Sequence, residues 1–317
     1  MSAGTTIGTT DRGAEPSATR GGTVFDIGYR SYTGVREGRR RSRSALLKDS
    51  VRIALGLGRG PRAKILPWLF IGVLAAIGLI MALVAGAAER LAGPGAAEKA
   101  GLPTHSDLYG IASIVIFVFA AVVAPELLCR DRREGTINLY LVRPITGTDY
   151  VGSRWLAFFL VMTGAVLLPQ FILWLGLSMG AAVPLDYIRA NWLDVPHFLG
   201  GGLVMAAYVT TLALLVASFT SRRAYASVFL VGLFIITTPF TAGLSQEIDG
   251  NAGAWISMFN LTNIPVHVSD LFFGATSEIV EDAPALRLSA ATRVWWCAAW
   301  IVVPGLVLWA RYRRMSP

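Results

Sequence analysis

Charged side chains are scarce in this sequence. Asp, Glu, Lys and Arg make up 15% of its 317 residues, against 54% hydrophobic residues and a mean hydropathy of +0.56. A soluble domain carries about 25% charged residues, so the composition argues against that class and for a membrane protein. Lysine is nearly missing, being confined to Lys48, Lys64 and Lys99, so the net charge of +8 is carried by arginine. A basic excess can mark a nucleic-acid binder; in so apolar a chain it reports membrane orientation instead.

Other shortages narrow the chemistry. Cys129 and Cys297 are the only cysteines. The topology derived below puts them near opposite faces of a bilayer, so neither a disulfide nor a cysteine metal site is expected. His105, His197 and His267 lie far apart in sequence and read as interfacial polar residues, with no metal site between them. There is no H-E-x-x-H and no Gly-Lys pair, hence no G-x-x-x-x-G-K-[ST] loop with which this chain itself could cradle a nucleotide. Neither a catalytic residue nor a bound cofactor is expected in this chain.

Long apolar runs are abundant. A hydrocarbon core about 30 Å thick needs about 20 apolar residues of helix, because each residue advances about 1.5 Å. Six stretches qualify, at 65–88, 108–128, 155–180, 198–220, 224–244 and 294–310. Residues 254–275 have the length but contain Asn260, Asn263, Pro265, His267 and Asp270. A central Asp alone costs about 2.5–3.5 kcal/mol on insertion scales. This segment is therefore expected to form short amphipathic or re-entrant helices on the outer leaflet, broken at Pro265.

The expected fold is all-α and polytopic, with six transmembrane helices. Six spans with the N-terminus inside leave 23 of the 28 Lys and Arg on the cytoplasmic side, and only Arg90, Lys99, Arg189, Arg287 and Arg293 outside. Both termini are then cytoplasmic. Most tryptophans, among them Trp68, Trp155, Trp192 and Trp309, fall near span ends as an interfacial belt requires. Residues 1–43 are rich in Thr, Gly, Ser and Arg with no apolar run of signal-peptide length, and read as a flexible cytoplasmic tail. Residues 44–64 follow as an interfacial helix and linker, with Leu47, Val51, Ala54, Leu55 and Gly58 on one face. The six-span domain occupies 65–314.

Within the spans ionisable residues are almost absent, which speaks against a proton- or ion-coupled carrier. The polar breaks are Gln170 after Pro169, and Thr237 and Thr238 before Pro239. They are candidates for a translocation path, or for hydrogen bonds to neighbouring helices where proline frees carbonyls.

One cytoplasmic loop stands out. Six charges fall within residues 126–134, directly after an uncharged run. Glu126 ends the second span; Arg130, Asp131, Arg132 and Arg133 follow; then come Glu134-Gly135-Thr136, the apolar stretch 137–142, Arg143, Pro144-Ile145-Thr146, and Arg154 at the start of the third span. This succession resembles the permease subunits of ABC-2 type transporters, and with the six-span layout the resemblance covers roughly residues 44–314.

The resemblance implies an exporter permease in a bacterial plasma membrane, paired with a second permease chain, identical or not. ATP and Mg would be handled by two copies of a separate ATPase subunit. The segment 137–142 would be a coupling helix. Glu126, Arg130, Arg132, Arg133, Glu134, Gly135, Thr136, Ile137, Leu139, Leu141, Arg143 and Pro144 would form the ATPase-coupling surface. A secondary carrier or channel, and an intramembrane enzyme acting on lipid or peptide, are the alternatives from other classes.

Overall fold

The computed structural model describes residues 38–58, 60–93, 96–137, 140, 145–181, 183–277 and 280–314. Leu139, Leu141, Arg143 and Pro144 of the expected coupling segment lie outside the described residues, as does the tail through residue 37. Every regular element among the described residues is helical. They are α1 (Gly38–Ala54), α2 (Pro61–Ala92), α3 (Ala96–Lys99), α4 (His105–Arg133), α5 (Gly147–Gly180), α6 (Pro184–Ala190), α7 (Asp194–Phe219), α8 (Arg223–Glu247), α9 (Gly250–Ser257), α10 (Ile264–Phe273), a 3-10 turn Pro284–Arg287, and α11 (Ala290–Arg313).

Helices α2, α4, α5, α7, α8 and α11 are each long and apolar enough to cross a membrane, so the chain is a multi-pass membrane protein. Five of them contain an expected span whole and extend beyond it at one or both ends; α7 starts before the span expected at 198–220 and stops one residue short of its end, at Phe219. At about 1.5 Å per residue, the 34 residues of α5 reach well past a 30 Å core. Pro67, Pro125, Pro169, Pro239 and Pro304 lie inside five of these helices. Neighbouring helices re-satisfy the freed backbone groups in lipid, which makes such prolines tolerable.

Burial orders the bundle. α4 and α7 are the most enclosed, and α8 and α11 keep most of their apolar surface outward. α4 packs against α2, α5, α7, α8 and α10, so its buried residues run almost around the helix. One stripe escapes: Ile111, Ile114, Val115, Val118 and Val122 are exposed or half-buried, at helical spacing, and the stripe continues into Glu126 and Arg130.

The α2 and α5 pair is built on small residues. Gly78 sits against the backbone of Pro169, where a Cβ would come within 2.6 Å of its carbonyl oxygen, and Gly86 lies opposite Gly176 and Gly180. Without a hydrophobic drive between helices in lipid, such close approach supplies the dispersion contact that holds them. Arg90 of α2 then donates to the carbonyls of Met179 (2.8 Å) and Gly180 (3.4 Å), two of the orphan acceptors at the end of α5.

Two expectations are corrected. α1 begins at Gly38 rather than at residue 44, and its buried stripe is Leu46, Ser50 and Ala54, while Leu47, Val51 and Leu55 are half-buried. A stripe centred on a serine is invisible to apolar periodicity. In the 254–275 segment the chain breaks at residues 258–263, where Asn260 and Thr262 fold the backbone back, and Pro265 opens α10 instead of interrupting it. A proline in the first turn removes only an N–H that has no helical partner. α10 is also buried from Ile264 to Asp270, inserted among α4, α7 and α11. Gly200 and Gly201 of α7 make room for it, facing Phe272 and Ser269.

Gly78→Leu is expected to lower the melting temperature in detergent, with overpacking of about 1–3 kcal/mol. Gly72→Leu, at an open position on the same helix, should leave it nearly unchanged. Equal melting temperatures for the two variants would contradict this packing account.

Candidate functional site

The charges that end α4 separate because successive helical residues point about 100° apart. Arg130 turns outward and pairs with Glu134 one turn later (3.0 Å). Arg132 turns toward α7 and donates to the Ser218 carbonyl near its end. Arg133 stays exposed, and Asp131 points inward.

Inside, Asp131 meets Arg154 of α5. The Arg154 side chain is fully buried; it donates to Asp131 Oδ2 at 2.5 Å and to Ser50 Oγ of α1 at 3.0 Å. Tyr150, one turn before Arg154, donates its hydroxyl to the same carboxylate oxygen (2.7 Å) and lays its ring 5.5 Å from the guanidinium carbon. The Tyr140 and Tyr312 rings pack on Tyr150 at 5.8 and 5.6 Å, bringing in the loop and the end of α11. The ion pair thus joins α1, α4, α5 and the loop after α4, and through the Tyr150 ring it reaches the end of α11.

The Glu134-Gly135-Thr136 triplet has a local physical reason. Gly135 has φ +68°, the left-handed conformation that favours glycine, and it ends α4. The Thr136 N–H then returns to the Asp131 carbonyl (3.0 Å), and its hydroxyl reaches the Asp131 carbonyl and carboxylate at 3.3 and 3.4 Å. The turn therefore orients the carboxylate that Arg154 needs. Ile137 follows, half-buried against the core.

A second clamp lies one turn earlier on α5. Thr146 and Asp149 form a reciprocal cap at its start, and Asp149 also accepts from Arg39 of α1 (2.7 Å) and lies 3.5 Å from Arg43. Gly147 abuts the Tyr312 backbone so closely that a Cβ would collide with its carbonyl. α1 is thus fastened to α5 at its first turn by exposed arginines and at its middle by the buried Ser50–Arg154 bond.

The expected site residues divide. Thr136 joins the Asp131–Arg154 pair, neither member of which was in the expected coupling set. Arg130, Arg133 and Glu134 form the outward rim. Arg132, expected to face outward, is directed inward, because the Ser218 carbonyl near the end of α7 lies within its reach. Glu126 pairs with Arg223 of α8 (2.5 Å). Together with Pro125, Cys129, Arg130, Arg133 and Ser221 these two line a shallow cleft.

Gln170 and the two threonines do not converge. Gln170 is fully buried, its oxygen 2.8 Å from His105 Nδ1 and its NH2 donating to the His105 carbonyl at 2.9 Å. Thr237 donates to Phe234 of its own helix (3.3 Å), and Thr238 joins Asn260 and Thr262 at 3.2 and 2.9 Å. Each makes the neighbour or backbone hydrogen bond that a polar break in a span calls for.

Sequence reasoning overlooked Asp131, Ser50 and Tyr150 as partners of Arg154. The available signal was that Arg154 is the only charge between Asp149 and Asp186, so it needed an acid from another helix. It also passed over one G-x-S-x-G string, Gly176-Leu177-Ser178-Met179-Gly180. A nucleophile elbow needs a strand-to-helix turn, whereas these residues lie inside α5, where Ser178 donates to Leu175 (2.7 Å). Both cysteines are free, and among the described residues no cluster of His, Cys, Asp and Glu is suited to a metal ion.

Removing one partner of a buried ion pair strands the other charge, at about 3–5 kcal/mol, whereas replacing both by apolar groups is often neutral. Arg154→Met and Asp131→Leu should each strongly lower the melting temperature, and the double variant should recover much of the loss. A double variant as unstable as the sum of the two singles would show that the ions are not each other's main support. No protein-family profile matches the chain, and no curated protein matches it significantly.

Proposed function

We propose that this chain is the membrane-spanning subunit of an ATP-driven exporter of ABC-2 type, coupled to a separate ATPase through the loop after α4. The observation that carries this reading is the buried Arg154–Asp131 pair. A loop that is only a connection has no need of a desolvated ion pair at its root. A loop that must transmit force needs a stiff one, and here the pair ties it to α1 and α5 and, through the Tyr150 ring, to α11.

In this reading the exposed Arg130, Arg133 and Glu134 form the rim that meets the ATPase, and the stretch from Ile137 seats in its groove. ATP and Mg belong to the two ATPase copies, consistent with a sequence that lacks a P-loop. A second permease chain faces the first, and the uncovered stripe of α4, ending at Glu126, is a better candidate to line the path than Gln170, which is enclosed. Both termini are cytoplasmic and the membrane is the bacterial plasma membrane. An aliphatic path suits hydrophobic or amphipathic cargo.

The alternatives ask for other features. An intramembrane enzyme needs an activated nucleophile, and Ser178 is bonded to its own helix. A secondary carrier needs a charge within its spans, whereas the Arg154–Asp131 and Glu126–Arg223 pairs lie near helix ends.

Co-expression with a Walker-motif ATPase encoded beside the gene should give a complex that co-purifies, and Gly135→Val should weaken it, because a branched residue resists φ +68°. The Arg154→Met, Asp131→Leu double variant should keep the ATPase bound but lose vanadate-sensitive transport. Transport by this chain alone, insensitive to vanadate, would refute the reading.

A further inference from the structure

At the end of the bundle opposite the Arg154–Asp131 pair, α10 carries polar groups that the proposed transport role does not use. His267 is 1% exposed, and neither of its ring nitrogens has a hydrogen-bond partner among the described residues. Asp270, one turn later, is 2% exposed. Its Oδ2 accepts the Ser277 N–H at 3.1 Å, while its Oδ1 and the Ser277 hydroxyl have no partner among the described residues. A buried carboxylate with a single neutral donor is poorly supported as an anion.

The surroundings sharpen this. α4 contributes His105, Asp107 and Tyr109; α7 contributes His197; α11 contributes Arg293. The Asp107 charge disfavours a second carboxylate nearby. Arg293 acts on both titratable groups of α10, favouring the Asp270 anion and disfavouring the His267 cation. His105 and His197 are held against the Phe273 ring, at 6.0 and 5.8 Å. Burial is the largest influence on both groups, pushing Asp270 up to about 7 and His267 down to about 4.

We propose that Asp270 is a proton-operated latch: protonated, its carboxyl keeps α10 and the turn to Ser277 seated in the bundle, and after releasing its proton to water it is drawn toward Arg293 and frees that turn. The sign follows from linkage. A carboxyl that holds its proton more tightly when seated favours that state fully below its ordinary value of 3.8, and the preference is lost as pH rises through about 7. His267, kept neutral by its seat, contributes in the opposite sense: its preference is present above 6.5 and lost as pH falls through about 4. Near neutral pH it is therefore Asp270 that switches.

The latch can be tested on the full chain in nanodiscs without any ATPase, so its outcome is independent of the transport reading. The probe is a membrane-impermeant maleimide reacting with the thiol introduced by Ser277→Cys, with rates divided by those of Leu91→Cys, an exposed position in the last turn of α2. With a midpoint near 7, the ionised fraction of Asp270 rises about tenfold between pH 6 and pH 8, and the rate ratio should rise with it. In Asp270→Asn the ratio should be flat, and in His267→Gln the rise should persist. A constant ratio, or a rise that survives Asp270→Asn, would overturn the proposal. Should Asp270→Asn fail to fold, infrared titration of the wild-type chain decides. A protonated-carboxyl C=O band lost with a midpoint near 7 supports the latch, and the absence of any carboxyl titrating above pH 6 removes it.

Discussion

A charge buried in a membrane protein must be answered by another, and much of the loop end of this bundle follows from that requirement. Arg154 is fully enclosed, so its guanidinium needs an anion and hydrogen-bond acceptors at fixed positions. Asp131 supplies the anion, and the left-handed turn at Gly135 together with Thr136 orients it. Ser50 supplies an acceptor, which draws α1 against α5. Tyr150 bridges ring and carboxylate, and through it Tyr312 brings in the end of α11. Loosening the pair would loosen five parts of the chain at once, which is why it is the natural root for a force-bearing loop.

The rest of the bundle is held by a different principle. Lipid offers no hydrophobic advantage to helix contact, so close backbone approach and interhelical hydrogen bonds do the joining. Gly78, Gly86, Gly176 and Gly180 bring α2 and α5 together; Gly200 and Gly201 admit α10 to α7. Gln170 and His105, and Thr238 with Asn260 and Thr262, add polar bonds at depths where unpartnered groups are expensive. Among the described residues, His267, Asp270 and Ser277 gather four buried polar atoms without hydrogen-bond partners into one short helix and the turn after it, which marks α10 as a place where the bundle is unsettled.

Legibility in the sequence tracked how local each signal was. The spans and the rejection of 254–275 were readable because length and apolarity act within a few residues. Arg154 was readable as an oddity, a lone charge at the start of a span. Its partners were not, because Asp131 looks like one more charge in a basic loop and Ser50 like one polar residue in an arginine-rich helix. Gln170 looked like a path residue for the same reason: its distant partner, His105, carries no local mark. Pro265 misled in a smaller way, since proline signals both a break and a start, and only the polar turn before it decides which.

By itself the amino-acid sequence determined that this is a helical, multi-pass membrane protein with six segments long and apolar enough to cross a bilayer and a charged loop after the second, because the bilayer imposes length and apolarity on every crossing segment whatever its neighbours are. The tertiary structure alone decided which charges of that loop face outward, which one enters the bundle, and that α10 is inserted with a carboxyl in an apolar seat. Those outcomes depend on pairings between residues dozens of positions apart, and desolvation, which selects among such pairings, acts only once the helices have packed.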